Sequence, residues 1–322
     1  MAKYVLITTG GTIAMRKNEL GKAVPALEAE DLLRLLSPSP RDEWRAITFS
    51  NVASSAITPE KALDLSRVLN RLIREEHVEG VVITHGTDTL EETAFLLSLT
   101  VPQSIPVVLT AAQRNASEED SDGPRNLRNA ALIATSSAAR GKGVLVTMHA
   151  QIHSARDVRK LHTSQPDAFS SGPAGILGYV DEDRIFWSRE SLPYLSLPVP
   201  ERLAQVPILK AYTGMNSDLL AYFLSQGAEA LVIEGFGRGN LPPELVPAIA
   251  EAVSRHKIPV VITSRCPFGR TAPVYGYPGG GADLERTGAW FSGDLSTEKT
   301  RLLLAVALGA GIPNSTVKSW LD

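Results

Sequence analysis

Short, unbroken apolar segments recur along the chain and alternate with amphipathic stretches. They consist mainly of Val, Ile and Leu and lack the apolar–polar alternation of a strand with one face in water. Such segments are typical of strands that are buried on both faces of a parallel sheet. They predict strands at Tyr4–Thr8, Val81–Thr84, Val107–Thr110, Val144–Thr147, Leu231–Ile233 and Val260–Thr263.

The intervening stretches carry a helical period. In Pro59–Glu76 the apolar residues recur three or four positions apart, which places them on one helical face. Thr58 precedes Pro59, which is the pattern of an N-cap followed by the first helical residue. Strands that alternate with helices predict an α/β fold with doubly wound parallel sheets. The other predicted helices are Thr89–Leu99, Arg125–Ala134, Asn216–Leu224, Leu245–His256 and Thr297–Leu308.

The chain is long enough for two domains. Its 322 residues exceed what one ordinary hydrophobic core accommodates. The stretch 188–206 contains several prolines and has no clear period, so we interpret it as a linker. The sequence thus predicts a larger N-terminal α/β domain at 1–187 and a smaller C-terminal α/β domain at 207–322.

Composition narrows the class of protein. The formal net charge of −3 is small for this length and disfavours nucleic acid as a partner. No apolar run approaches the length of a membrane span, and the N-terminal run is too short for a signal peptide. Cys266 is the single cysteine, so no internal disulfide or thiolate metal site is expected. We expect a cytoplasmic protein without a membrane partner, metal or cofactor.

Two hydroxyl-rich turns follow predicted strands. The first is Thr8–Ile13 and the second is Thr84–Thr93, and both contain glycine. In open α/β sheets ligands bind beyond the carboxyl ends of the strands, so we expect the two turns to face one pocket. A structural alternative exists for each turn. Thr-Gly-Gly-Thr occurs in ordinary turns, and Thr89 and Glu92 have the spacing of a helix capping box.

Taken together, the two turns resemble the signature segments of the bacterial-type L-asparaginase family. The resemblance covers nearly the whole chain. It implies a larger N-terminal and a smaller C-terminal α/β domain, assembled as a homodimer or homotetramer whose sites a neighbouring subunit completes. Further segments match in the order of the family: Ala53–Ser55, Asp122–Asn126, Ile152–Lys160, Gly237–Leu241 and Ser264–Arg265.

The resemblance implies an amidohydrolase that converts L-asparagine into L-aspartate and ammonia. Thr12 matches the nucleophile of the family, which would form an acyl-enzyme. Thr87, Asp88 and Lys160 match the second group of catalytic residues, with Thr87 positioning water. An unreactive amide needs a nucleophile, a proton shuttle and an oxyanion site. The backbone N–H near Thr87, at the start of a predicted helix, is the candidate oxyanion donor.

The resemblance also assigns the residues that hold the substrate. Asp88 matches the partner of the α-amino group, and Ser54 and Ser55 match the pair that holds the α-carboxylate and backbone. Gly11 and Asn240 are further substrate-binding candidates. L-Glutamine is longer by one methylene, which a pocket discriminates only modestly, so a glutaminase-asparaginase stays open as an alternative.

The sequence departs from the family after the first signature. Many relatives carry a tyrosine there that is hydrogen-bonded to the threonine nucleophile, but Met15–Glu30 contains none. Our hypothesis is that Tyr275 or Tyr277 supplies the missing phenol from the adjacent subunit. Both tyrosines follow Ser264–Arg265, where relatives place an intersubunit acid near that tyrosine.

Two further alternatives concern the class of protein. A non-catalytic amino-acid sensor could keep this fold, but the four matched catalytic residues are all present. The archaeal glutamyl-tRNA amidotransferase D subunit shares the fold and normally carries an extra domain before the first strand. This chain begins directly at that strand, which favours the asparaginase interpretation.

Overall fold

A computed structural model describes residues 3–36, 43–192 and 195–321. The chain divides into two compact units, Met1–Ser196 and Leu197–Asp322. This division lies inside the stretch 188–206, of which Pro193 and Tyr194 fall outside the described residues. The exact limits of the two domains and of the linker stay predictions.

The N-terminal unit is built around a mixed β-sheet with helices on both faces. Its helices in the described ranges are α1 (Ala29–Leu35), α2 (Pro59–Arg74), α3 (Leu90–Thr100) and α4 (Gly123–Thr135). Its strands in the same ranges are β1 (Tyr4–Gly10), β2 (Met15–Lys17), β3 (Ala23–Pro25), β4 (Trp44–Val52), β5 (Gly80–Thr84), β6 (Val107–Thr110), β7 (Val144–Met148), β8 (Gln151–Ser154), β9 (Arg159–Lys160), β10 (Phe169–Ser170), β11 (Gly178–Asp181) and β12 (Arg184–Trp187).

The main sheet has eight strands in the order β12-β11-β8-β7-β6-β5-β1-β4. The five strands from β7 to β4 are parallel, and they include the four strands predicted for this half of the chain. The other three pair antiparallel and were not predicted. The edge strand β4 was not predicted either. Most of its residues are only partly buried, so it carries no continuous apolar run.

Burial on both faces explains the unbroken apolar segments. In β5, the side chains of Val81 and Ile83 enter one hydrophobic core, whereas Val82 enters the other. All three are fully buried. Burial of each such side chain stabilises the folded state by about 1.5–3 kcal/mol relative to leaving it exposed.

Helix α2 begins where the sequence predicts. The Thr58 hydroxyl accepts a hydrogen bond from the Lys61 N–H at 3.3 Å, and Pro59 is the first helical residue. The predicted N-cap is therefore confirmed. The apolar face of this helix, with Leu65, Leu69 and Leu72, packs into the same core as Val81.

The C-terminal unit repeats the architecture on a smaller scale. Its four-stranded sheet is parallel throughout, in the order β13-β14-β15-β16. Among the described residues of both units, no helix is long and apolar enough to cross a bilayer. The elements of this unit are β13 (Ile208–Lys210), α5 (Asp218–Ser225), β14 (Leu231–Gly235), α6 (Val246–Ser254), β15 (Val260–Ser264), α7 (Gly281–Arg286), β16 (Trp290–Phe291), α8 (Thr297–Gly309) and α9 (Asn314–Ser319).

Candidate active site

Four neighbouring parallel strands of the N-terminal unit end at one edge of the sheet and carry the candidate residues. Thr12 follows β1, Ser54 follows β4, and Thr87 and Asp88 follow β5. Gln113, a residue that was not recognised from the sequence, follows β6. Because the carboxyl ends of parallel strands lie together, chain segments far apart in sequence contribute to one site.

The turns after β1 and β5 are in direct backbone contact. A Cβ atom built on Gly11 would lie 2.4 Å from the Gly86 Cα, and Gly11 has φ +83°. A Cβ on Gly86 would lie 2.6 Å from the Ser54 Oγ. No residue other than glycine fits either position without moving its neighbours. The two hydroxyl-rich turns therefore belong to one site, as their sequence patterns suggest.

Thr12 begins a short 3₁₀ helix, Thr12–Ala14, and is half-buried. The residues that precede it are held by the sheet, because the Gly11 N–H donates to the Val52 carbonyl at 3.1 Å. Among the described residues, none forms a hydrogen bond with the Thr12 hydroxyl. The hydroxyl is thus available to a substrate or to an activating group.

Lys160 joins Thr87 and Asp88 into one cluster. Its ammonium donates to the Thr87 Oγ1 at 2.8 Å and forms an ion pair with the Asp88 Oδ1 at 2.9 Å. The three side chains differ in environment. Thr87 is buried and the Lys160 side chain is 16% exposed, whereas the Asp88 side chain is 66% exposed. One end of the cluster is therefore shielded from water, and the other is open to a ligand.

Ser54 connects the β4 loop to the same cluster. Its hydroxyl oxygen accepts the Asp88 N–H at 3.2 Å, and its carbonyl accepts the Thr89 hydroxyl at 2.7 Å. The predicted capping box at Thr89 is therefore wrong. Thr89 precedes α3, but its side chain is bonded to Ser54 instead of capping the helix. Ser54 is buried, and its neighbour Ser55 is exposed.

Lys160 is held from two directions. Its backbone pairs with Phe169 in the antiparallel pair β9–β10. Its N–H also donates to the Glu91 carboxylate, which comes from the first turn of α3. The lysine therefore reaches Thr87 from a backbone that is fixed on both sides.

Asp157 fixes the turn that precedes Lys160. Its buried carboxylate accepts hydrogen bonds from Arg156 at 2.9 Å, Arg189 at 3.2 Å and the Ser154 hydroxyl at 2.9 Å. Burial by itself would raise the pKa of Asp157, but the hydrogen bonds and the positive charge of Arg156 outweigh it and hold the pKa below its ordinary value. The carboxylate therefore stays charged and keeps this turn in place.

Gln113 is the residue that sequence reasoning missed. Its Oε1 accepts the Thr87 hydroxyl at 3.3 Å, and its N–H donates to the Asp122 carboxylate at 3.1 Å. The available signal was its position directly after a predicted strand, in the same place relative to β6 as Thr87 relative to β5. A lone glutamine in a loop carries no motif that would have identified it.

Two family models match this chain, one in each of its two compact units. A family model described as "Asparaginase, N-terminal" matches residues 3–193, and one described as "Glutaminase/Asparaginase C-terminal domain" matches residues 205–321. The chain belongs to the asparaginase family. The resemblance noted from the sequence and the predicted asparaginase-like fold are both confirmed.

Individual relatives match over nearly their whole length. A probable L-asparaginase of Deinococcus radiodurans is 38% identical, with 99% of this chain and 96% of the relative covered. A glutaminase-asparaginase of Acinetobacter glutaminasificans is 33% identical, with 94% of each chain covered. The crystal structure of a probable cytoplasmic L-asparaginase from Campylobacter jejuni superposes with a TM-score of 0.89 at 31% identity, covering 100% of this chain and 99% of that chain.

His85 lies inside the second asparaginase signature but is fully buried. Its Nδ1 donates to the Gly86 carbonyl at 2.8 Å, and its Nε2 lies 3.0 Å from the Thr93 hydroxyl. Burial lowers its pKa to about 4, although the bond to Gly86 opposes this shift. The imidazole is therefore neutral near pH 7 and serves as a structural link between the signature turn and α3.

The C-terminal unit of this asparaginase-family chain carries the remaining candidates. Asn240 follows β14, where its backbone bonds to Phe236 at 2.9 Å. Its Oδ1 is buried without a hydrogen-bond partner in the described part of the chain. Tyr275 and Tyr277 stack on each other at 5.6 Å between ring centroids, and both are exposed. Their roles in substrate binding and in replacing the loop phenol stay predictions.

Proposed function

We propose that this protein hydrolyses the side-chain amide of L-asparagine and releases L-aspartate and ammonia. The observation that carries the proposal is the Thr87–Lys160–Asp88 cluster at the sheet edge where the turn bearing Thr12 packs against Gly86. The relatives that match this chain over nearly its full length include a named probable L-asparaginase. Family membership and the arrangement of the site thus support the same reaction.

In the proposed first half-reaction, the Thr12 Oγ attacks the amide carbon. The Thr12 proton passes to the amide nitrogen, the C–N bond breaks, and ammonia leaves. The intermediate is an ester between Thr12 and the aspartyl group. In the second half-reaction, water adds to the ester carbon, the Thr12 oxygen recovers a proton, and L-aspartate leaves. Thr87 positions that water, and Lys160 exchanges the proton with it.

The charged ends of the substrate match the groups at the open side of the site. The exposed Asp88 carboxylate is suited to the α-ammonium group. Ser54 accepts the Asp88 N–H through its oxygen, so its own O–H proton remains to donate to the α-carboxylate. Ser55 and Gly11 line the adjoining turns and complete the proposed substrate-binding residues.

The oxyanion site is proposed at the turn before α3. The Asp88 N–H is already bonded to Ser54, whereas the Thr87 N–H has no acceptor among the described residues. The amino-terminal end of α3 adds a favourable partial positive charge for a developing oxyanion. We therefore assign the Thr87 N–H as the backbone donor.

The site is proposed to be completed in a cytoplasmic homodimer or homotetramer. Asn240 would contribute to substrate binding, and Tyr275 or Tyr277 of the adjacent subunit would activate Thr12. The unbonded Thr12 hydroxyl and the exposed pair of tyrosines support this arrangement. A solved relative described as a probable cytoplasmic L-asparaginase supports the location.

The proposal is tested by ammonia release from L-asparagine. Thr12→Val keeps the shape of the side chain but removes the nucleophile, and we expect activity to fall by at least about 1,000-fold. Thr12→Ser keeps a hydroxyl and serves as the matched control, with measurable turnover. When the substrate is isotope-labelled L-asparagine, an acyl-enzyme trapped by acid quench should carry the label on the peptide that contains Thr12. A label on the peptide that contains Thr87 would reverse the assignment of the nucleophile.

A second candidate substrate is L-glutamine, because one relative, whose match covers 94% of this chain, is a glutaminase-asparaginase. Ammonia release from both amides, measured side by side, separates the two activities. Comparable kcat/KM values would make the protein a glutaminase-asparaginase. No release from either amide by the folded protein would instead favour a non-catalytic amino-acid sensor.

A further inference from the structure

The Thr87 hydroxyl lies between two partners with opposite roles. Its oxygen accepts a hydrogen bond from the Lys160 Nζ at 2.8 Å, and its proton is donated to the Gln113 Oε1 at 3.3 Å. A hydroxyl group has one proton and two lone pairs, so a proton held by Gln113 is not directed at Lys160. The hydrogen bonds therefore run in one direction, from the lysine through the threonine to the glutamine.

We propose that Gln113 is a positioning residue that orients the Thr87 hydroxyl and keeps its lone pair directed at the Lys160 ammonium. The inference rests on the proposed amide hydrolysis, in which Thr87 and Lys160 handle the attacking water. With the Thr87 proton held by Gln113, the exchange of a proton with the attacking water is left to Lys160. Loss of the amide oxygen frees the hydroxyl to rotate, and the orientation is lost.

The backbone of Gln113 is held firmly enough for this role. The Asp122 carboxylate accepts the N–H groups of Gln113 at 3.1 Å and of Arg114 at 2.9 Å. Asn126, one turn into α4, donates to the same carboxylate at 3.1 Å and to the Ala111 carbonyl at 3.0 Å. The loop after β6 is thereby fixed to the start of α4, and the glutamine side chain reaches Thr87 from a rigid base.

The other end of the Gln113 amide indicates a functional role instead of a structural one. Its Nε2 is buried and has no hydrogen-bond partner among the described residues. Burial of an unpaired amide donor is unfavourable. A side chain of the same shape without polar atoms would fill this position with greater stability. We therefore expect activity and stability to respond in opposite directions when Gln113 is replaced.

Other charged groups lie in this cluster or next to it in sequence. Asp88 forms an ion pair with the Lys160 ammonium, Glu91 of α3 accepts the Lys160 N–H, and Arg159 precedes Lys160 in β9. These groups remain unchanged when Gln113 is replaced. A carboxylate at position 113 would add one negative charge beside Thr87, which favours the ammonium form of Lys160.

Two variants test the inference in the full-length protein. Gln113→Met keeps the length and removes the acceptor, and we expect kcat for L-asparagine to fall about tenfold with KM changed less than threefold and Tm unchanged or raised. Gln113→Glu is expected to move the ascending limb of the kcat–pH profile to higher pH by about one unit. NMR of ¹³C-labelled lysine in the substrate-free protein should show the same upward shift in the titration midpoint of Lys160.

Gln103→Glu is the matched control for added charge. Gln103 precedes β6, at the opposite edge of the sheet from the site, so its replacement should leave both the pH profile and the lysine titration unchanged. The inference is overturned if Gln113→Met and Gln113→Glu both keep kcat and the pH profile within twofold of the wild type. If the wild type itself releases no ammonia, the proposed function fails, whereas an active wild type whose Gln113 variants behave as it does overturns only the role assigned to Gln113.

Discussion

Adjacent residues of the site have sharply different surroundings. Thr87 is buried and bonded on two sides, whereas the side chain of Asp88, the next residue, is two-thirds exposed. A buried hydroxyl is suited to oriented proton exchange, and an exposed carboxylate is suited to binding a cationic group from solution. Lys160 joins the two, so a single charge links the proposed substrate binding to the proposed proton exchange.

The buried His85 predicts a loss of stability in acid. Its pKa is about 4 in the folded protein and about 6.5 when unfolded, so the unfolded chain binds more protons between these values. Stability from this group is complete above about pH 6.5 and falls as the pH decreases towards 4, by about 3 kcal/mol in total. Urea unfolding at pH 7 and pH 5 measures the effect.

A non-titrating replacement isolates the contribution of this histidine. His85→Asn should show a smaller loss of stability between pH 7 and pH 5 than the wild type, although it is less stable at pH 7. His256→Asn removes an exposed histidine and serves as the control. Equal losses in the wild type and in His85→Asn would assign the acid sensitivity to other groups.

Glu91 is expected to support catalysis by fixing the backbone of Lys160. Glu91→Ala removes the acceptor of the Lys160 N–H, and we expect kcat to fall about tenfold, the equivalent of one ordinary hydrogen bond. Glu91→Gln keeps an acceptor oxygen and should remain within about threefold of the wild type. If both variants lose the same activity, the negative charge of Glu91, and not its hydrogen bond, is the property that matters.

At the scale of elements, the site depends on how closely the ends of β1 and β5 approach. These strands pair in register from Tyr4–Gly80 to Thr8–Thr84, and the turns that follow them touch at Gly11 and Gly86. The parallel pairing therefore brings Thr12 and Thr87 to the same edge of the sheet. A side chain at either glycine would separate the two turns.

Gly11→Ala should therefore impair both stability and activity. Alanine at φ +83° is strained, and its Cβ would lie 2.4 Å from backbone atoms of Gly86. Gly141→Ala is the matched control, because Gly141 has φ +74° and nothing within 4 Å of its Cβ position. Calorimetry should give a Tm decrease of roughly 2–4 °C for Gly141→Ala and more than about 10 °C for Gly11→Ala. Similar decreases would contradict the importance of the close contact.

At the scale of the whole molecule, the candidate residues are divided between two units. The hydroxyl-bearing residues, Asp88 and Lys160 belong to the N-terminal unit, whereas Asn240 and the tyrosine pair belong to the C-terminal unit. In the proposed oligomer, the tyrosine that acts on one Thr12 comes from another subunit. This sharing of a site predicts complementation between inactive variants.

Mixed oligomers test the shared site. Thr12→Val and the double variant Tyr275→Phe, Tyr277→Phe should each be inactive when pure. After co-expression or joint refolding, a mixed dimer contains one site with both groups intact, so about a quarter of the wild-type activity should return. If the double tyrosine variant is fully active alone, the hypothesis that Tyr275 or Tyr277 supplies the missing phenol is wrong. A mixture as inactive as its components would place all essential groups of one site in a single chain.

Local sequence determined the framework of the fold. Unbroken apolar runs predicted the strands β1, β5, β6 and β7 of the main sheet and the strands β14 and β15 of the smaller one. Helical periods predicted the principal helices. The hydroxyl-rich turns after β1 and β5 identified the sheet edge at which the candidate site lies. These features depend on residues near one another in the sequence, which is why they could be predicted.

Tertiary structure decided the features that depend on distant residues. The edge strand β4 and the antiparallel strands β8 and β11 carry no continuous apolar run, so only their pairing partners identify them. Thr89 binds the Ser54 carbonyl instead of capping α3, because packing brings that carbonyl within 2.7 Å. Gln113 gains its partner Thr87 in the same way. A hydrogen bond between residues tens of positions apart forms only when the strands that carry them are aligned, and no local pattern encodes that alignment.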